Sequence, residues 1–146
     1  SNPFTKGPVQ SAGYILNAGS EQFIQDCVHK LQQDHAASLL IFPEGTRTAK
    51  GEQLNDFQRG AANIALRAGV PIRPVLISCT PSTLTKNEKW YHIPEQPFHI
   101  HVKVLDAIRV EDVLDDVTVN PKNVRQLNQQ LQWFFNQELS VNEQSC

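Results

Sequence analysis

The chain lacks most features that would place it in a specialised class. No apolar run in its 146 residues is long enough to cross a bilayer and no signal peptide opens it, so any membrane contact is expected to be peripheral or supplied by residues outside this sequence. Net charge is only -2 and the basic residues form no run, which excludes broad electrostatic binding of nucleic acid. Three cysteines, Cys27, Cys79 and Cys146, share no close spacing. That excludes a disulfide scaffold or a zinc site and fits a reducing compartment, the cytoplasm or the cytoplasmic face of a membrane. Internal repeats are absent, and the nearest approach to low complexity is a Gln/Asn-rich face near the C-terminus. What remains is an ordinary globular composition, 40% hydrophobic, and a length that suits one domain over 1–146.

Strand and helix signals alternate along it. Val9 to Leu16 reads as a weak strand, and Ser20 to Asp34 as a helix with Phe23, Ile24, Cys27, Val28 and Leu31 on one stripe. Ser38-Leu39-Leu40-Ile41-Phe42 is continuously apolar after its first residue, the pattern of a strand buried on both faces of a parallel sheet. A polar loop, Thr48 to Leu54, leads to a helix over Asp56 to Ala68 with Phe57, Ala61, Ile64, Ala65 and Ala68 on one face and Gly69 as its C′ residue. Ile72 to Cys79 is the next buried strand, so a β-α-β crossover is the economical topology. Thr80 to Pro97 is a long surface loop. In Phe98 to Val104, apolar residues alternate with His99, His101 and Lys103, giving a strand near a sheet edge with that polar face wet. Pro121 to Leu139 repeats Val124, Leu127, Leu131 and Phe134 at helical spacing. Trp133 and Phe135 fall beside that stripe and are read as widening the buried face, the alternative being an interfacial membrane anchor. The fold class that follows is α/β, a mixed or mainly parallel sheet flanked by helices.

One hexapeptide concentrates the chemistry: Phe42-Pro43-Glu44-Gly45-Thr46-Arg47. Parallel sheets bind ligands just beyond the carboxyl ends of their strands, and this segment supplies a carboxylate, a flexible Gly, a hydroxyl and a guanidinium there. Pro43 stops the strand, Gly45 allows close backbone approach, and Arg47 suits the oxygens of a phosphate or carboxylate. A P-loop is excluded, because Gly45-Thr46-Arg47 lacks the Gly-Lys-Ser/Thr ending. Glu44 would repel a bare phosphate, so it is expected to accept a hydrogen bond from an acceptor hydroxyl or to fix Arg47 in place. Arg73, flanked by Ile72 and Pro74, either lines the same anionic pocket or faces an exposed edge. Arg59 and Arg67 read as a solvated helix face. His99 and His101 share a strand face without an acidic or Cys partner beside them, so no metal is expected there.

The hexapeptide resembles the FPEGTR signature of the glycerophospholipid acyltransferases, the family that acylates glycerol 3-phosphate and lysophosphatidic acid. The likeness continues through Asp56-Phe57-Gln58-Arg59-Gly60-Ala61-Ala62-Asn63-Ile64-Ala65 and Gly69-Val70-Pro71-Ile72-Arg73-Pro74-Val75, similar to the family's helix and proline-rich strand. Upstream, Ala12-Gly13-Tyr14-Ile15 resembles the strand before the signature, although Leu16-Asn17 stands where the family commonly has Arg. The resemblance runs from near Pro3 to about Val104. It implies transfer of a fatty acyl group from acyl-CoA or acyl carrier protein to a glycerophosphate or lysophospholipid hydroxyl, with no cofactor and with a membrane surface as peripheral partner. It also implies that Phe42 to Arg47, with Arg73 and Pro74, bind the acceptor.

The family further needs a His-x4-Asp in which His is the general base. His29-Lys30-Leu31-Gln32-Gln33-Asp34 is the one literal match, and it reads as a decoy. On a helix of about 100° per residue the two side chains lie roughly 140° apart, and His29 faces away from the apolar stripe. No catalytic residue is therefore assigned, and the chain is expected to be the back portion of an acyltransferase domain, inactive alone. An uncovered sheet edge and apolar face are then expected to drive self-association as a homodimer. The rival reading is a non-catalytic α/β module that grips a phosphorylated metabolite.

Overall fold

The computed structural model describes residues 21–34, 36–49, 52–83, 85–86 and 95–143. The strand expected over Val9 to Leu16 lies outside these residues, as does most of the loop after Thr80. The chain falls into two compact units, 1–39 and 40–146.

In the first unit, α1 (Glu21–Gln33) has the expected stripe: Cys27 is fully buried and Phe23, Ile24, Val28 and Leu31 are half-buried. Glu21 in the first turn and Lys30 in the last both complement the helix dipole. Burial, and secondarily the charge of Asp26, raise the Cys27 thiol pKa, so this cysteine stays protonated as a core residue.

The second unit carries α2 (Gly60–Ala68), β1 (Val75–Thr80), β2 (His99–Val104), a 3-10 turn at Val110–Asp112 and α3 (Pro121–Glu143). Gly69 ends α2 in the left-handed region at φ 65°, as a C′ glycine should. On α2 the buried residues are Ala62, Ile64, Ala65 and Leu66, so its covered side is turned from the stripe read in the sequence. Its small residues pack on α3. The core gathers Phe57, Ala62, Ala65 and Leu66 with Val110 of the 3-10 turn, Leu114 just after it, and Val124, Leu127 and Leu131 of α3. Phe135 joins it edge-on to Phe57, ring centroids 5.2 Å apart, whereas Trp133 stays 60% exposed. The aromatic pair beside the stripe is thus split, one residue in the core and one outside.

Asn120 caps α3, its Oδ1 accepting the Asn123 N–H at 2.8 Å, with Pro121 in the first turn. The buried Asn123 amide donates to the Asp116 carbonyl, the Asp116 carboxylate and the Thr118 carbonyl, which staples the incoming chain to the helix start.

The expectations for residues 38–42 and for the apolar face of β2 need correction. Residues 38–42 form no strand, and Leu40 and Phe42 are 78% and 68% exposed. A strand exists only against a ladder partner, and among the described residues β1 and β2 pair with each other alone. Their pairing is antiparallel, with Ile72↔Ile108 continuing it as an isolated bridge, so the described sheet is a two-stranded antiparallel ribbon and not a parallel one. The architecture is α/β in the broad sense. The polar face of β2 is exposed as expected, but so is its apolar face. Val75, Ile77 and Cys79 oppose Val104, Val102 and Ile100 on one apolar face, yet Ile77, Ile100, Val102 and Val104 are each more than half exposed. The opposite face holds buried Leu76, and Lys103 there reaches Glu138 of α3 at 3.2 Å. Lys103 thus faces the body of the unit and the valines face out.

Candidate functional site

Phe42 to Gly45 is a tight turn, closed by the Gly45 N–H donating to the Phe42 carbonyl at 3.1 Å. Pro43 presets the first central position, and Gly45 takes φ 67°, which side chains resist. A Cβ at Gly45 would also lie 3.3 Å from Gln58 Cγ. The turn is fixed from behind by the Gln58 N–H, which donates to the Pro43 carbonyl at 2.7 Å.

Glu44 is half-buried and its Oε2 accepts three hydrogen bonds: from the Thr48 hydroxyl at 3.1 Å, the Asn55 backbone N–H at 2.7 Å and Asn55 Nδ2 at 2.9 Å. A carboxylate serving this many donors organises a loop. Asn55 Nδ2 also reaches the Arg47 carbonyl at 3.4 Å, so one amide joins Glu44 to Arg47. The Arg47 guanidinium is exposed and donates from Nη2 to the Lys86 carbonyl at 3.2 Å, while the Lys86 N–H returns to the Thr48 carbonyl at 3.1 Å. Phe42 and Thr46 are exposed beside it. The product is a rigid turn that presents a cation, a hydroxyl and an aromatic ring to solvent.

The segment behind Asn55 is held by α3. Gln132 Oε1 accepts the Phe57 N–H at 2.6 Å, and Gln132 Nε2 donates to the Asn55 carbonyl at 3.2 Å. One turn earlier, Asn128 Nδ2 donates to the Phe57 carbonyl at 3.1 Å. These bonds explain why α2 begins at Gly60 and not at Asp56: the Asn55 and Phe57 carbonyls, which an earlier start would need as acceptors for the Arg59 and Ala61 N–H groups, are taken by Gln132 and Asn128. Along the same stretch an open groove of about 460 Å³ is lined by Arg59, Arg125, Asn128, Gln132 and Trp133 among others.

Arg73 and Pro74 belong elsewhere in the bonding pattern. Arg73 is exposed and its Nη1 donates to the Leu105 carbonyl at 3.2 Å, while the carbonyl of buried Pro74 accepts the Leu105 N–H at 3.0 Å. Both are bonded to Leu105. On α1, His29 is exposed, and Asp34 is engaged by Lys30 at 3.9 Å and by the Ala36 N–H at 3.0 Å. His99 and His101 lie exposed on the polar face of β2, and among the described residues no cluster of His, Cys, Asp and Glu could hold a metal ion. Sequence reasoning missed Asn55, Gln132 and Asn128. The available signal was an Asn/Gln pair four apart on the polar face of a helix, Asn128 and Gln132, which can grip a neighbouring backbone where a solvated face needs no amides.

Residues 16–78 match the family profile described as Acyltransferase. The chain is 36% identical over 86 residues to 1-acyl-sn-glycerol-3-phosphate acyltransferase alpha of Mus musculus, covering 58% of this chain and 29% of that protein. It is 37% identical over 75 residues to the 1-acyl-sn-glycerol-3-phosphate acyltransferase of Cocos nucifera, 51% of this chain and 23% of the relative. With the Escherichia coli K12 protein of the same name, identity is 46% over 50 residues, 34% of this chain and 20% of the relative. The chain therefore spans less than a third of the length of the curated relatives it matches. No solved structure matches at comparable significance.

Proposed function

Since the chain belongs to the acyltransferase family through residues 16–78, we propose that the whole protein moves a fatty acyl group from acyl-CoA or acyl carrier protein to a hydroxyl of a glycerophosphate or lysophospholipid. The relatives' names, 1-acyl-sn-glycerol-3-phosphate acyltransferase, support that acceptor class. In this reading residues 1–146 are the back portion of one acyltransferase domain and its wider sheet is mixed or parallel. The acceptor oxygen attacks the thioester carbonyl carbon, a C–O bond forms, the C–S bond breaks, and the thiol leaves with the proton. The base that takes the hydroxyl proton comes from a His-x4-Asp outside this chain. The residues in hand bind and orient. Arg47 meets the acceptor phosphate, Gly45 lets the backbone approach it, and Phe42, Pro43 and Thr46 complete the turn. Glu44 holds Arg47 in place through Asn55 and does not take the acceptor hydroxyl on Oε2. Arg73 and Pro74 contribute at most from the β1 end. Work is done at the cytoplasmic face of a membrane held peripherally; no described helix is long and apolar enough to cross one.

The observation that carries this reading is the tied turn that presents an exposed Arg47. Charge-assisted contacts to phosphate contribute roughly 1.5 to 3 kcal/mol, so Arg47→Ala in the complete enzyme is expected to raise the acceptor KM about ten- to a hundredfold with little change in melting temperature. A melting temperature that collapses while the folded fraction keeps its acceptor KM would make Arg47 structural. A non-catalytic phosphometabolite module would instead bind glycerol 3-phosphate without consuming any acyl donor.

A further inference from the structure

Gln132 sits on α3, well outside the residues that match the family profile, yet it is bonded to the segment that carries Asn55. It binds the backbone there at two points, the Asn55 carbonyl and the Phe57 N–H. Asn55 in turn places its own N–H and its Nδ2 on one oxygen of Glu44 and reaches the Arg47 carbonyl. The path from α3 to the turn is therefore three side chains long: Gln132, Asn55, Glu44. Each member is half-buried, where a hydrogen bond is less contested by water and a lost partner is felt more. The family signature supplies Glu44 and Arg47. Asn55 and Gln132 hold them in place.

We propose that Asn55, braced by Gln132 of α3, is the positioning residue that sets the Glu44–Arg47 turn for the acceptor. The proposal rests on the acceptor-site reading above. It makes α3 part of the acceptor site's support and not only of the core, which Leu127 and Leu131 already serve. It also gives the amide-rich face of α3 a purpose: a main chain that leaves helical conformation at 55–58 needs fixed donors and acceptors, which Asn128 and Gln132 supply.

The test measures acceptor and donor KM separately in the complete enzyme for Asn55→Ala, Gln132→Leu, the pair together, and Arg47→Ala as reference. Each of the first two is expected to raise the acceptor KM roughly three- to tenfold and leave the donor KM within twofold, from the loss of one or two neutral or charge-assisted hydrogen bonds. Because both act through one path, the double variant is expected to match the larger single effect, whereas independent weakenings would multiply. Gln132→Glu keeps the acceptor for the Phe57 N–H, loses only the donor to the Asn55 carbonyl, and stands in if Gln132→Leu folds poorly; a rise of about twofold is expected. Variants that melt earlier yet keep both KM values, or that raise donor and acceptor KM alike, overturn the proposal. Should Arg47→Ala raise the acceptor KM while these variants do not, the brace fails alone. Should Arg47→Ala itself leave the acceptor KM unchanged, the acceptor-site reading fails and the brace with it.

Discussion

Asn55 touches one oxygen of Glu44 twice, through its backbone N–H at 2.7 Å and its side-chain Nδ2 at 2.9 Å. Two donors from a single residue pin that one oxygen, and the contact ties residue 44 to residue 55.

Glu44→Ala leaves the Asn55 N–H half-buried without its acceptor and its Nδ2 with only the 3.4 Å contact to the Arg47 carbonyl. The expected cost is about 1–3 kcal/mol of stability, seen as a lower urea midpoint with an unchanged m-value. Glu44→Gln keeps an acceptor oxygen and is expected to lose about half as much. Equal stability of all three proteins would mean that water replaces the carboxylate at no cost.

Leu127 is fully buried at the centre of the α2–α3 core. Truncation to alanine is expected to destabilise the protein by about 2–5 kcal/mol, the range for cavity-forming core substitutions. Trp133→Ala, on the exposed side of the same helix, is expected to change stability by less than about 0.5 kcal/mol. Chemical denaturation of the two variants side by side checks which face of α3 is buried.

Acid sensitivity is expected at the start of α3. Hydrogen bonds from the Thr118 hydroxyl and backbone N–H, and then from Asn123, hold the Asp116 carboxyl below the ordinary carboxylate pKa. A group with a depressed folded-state pKa contributes stability that is present above the ordinary carboxylate range and is lost as pH falls through the folded value. Asp116→Asn should therefore be less stable than the parent at neutral pH, and the difference should shrink as the solution is acidified. A difference that stays constant from neutral to strongly acid pH would remove Asp116 from the account.

The apolar face of the ribbon is expected to pair with a second copy of the isolated chain. Ile77, Ile100, Val102 and Val104 are each 55–59% exposed and contiguous by register. They make a patch on the order of 400 Å², in the range of the largest apolar patches of monomers, which are often functional. A two-fold contact buries it on both copies at once and approaches the ~1,000 Å² of a weak specific interface. Light scattering over a dilution series should report a concentration-dependent dimer that Ile77→Lys abolishes. A monomer at high micromolar concentration, with no binding of an apolar dye, would mean the face is satisfied within the chain.

Sequence alone determined the elements whose signal is local. The stripe of α1 around Cys27, the Gly69 stop of α2, the alternation in β2 and the heptad-like spacing of Val124, Leu127 and Leu131 each follow from side-chain periodicity and backbone preference over a few residues. The hexapeptide from Phe42 to Arg47 was equally legible, because its turn residues and charges are contiguous in the chain. Tertiary structure alone decided what depends on a distant partner. An apolar run such as 38–42 looks the same whether or not a strand lies beside it, and alternation along β2 defines two faces without saying which is covered. α2 starts at Gly60 because Gln132 and Asn128, more than 70 residues away, take the Asn55 and Phe57 carbonyls that an earlier start would need as acceptors. For the same reason the role of Asn55 could not be read in advance: a side-chain amide declares its function only when its acceptors, here Glu44 and the Arg47 carbonyl, have been brought to it.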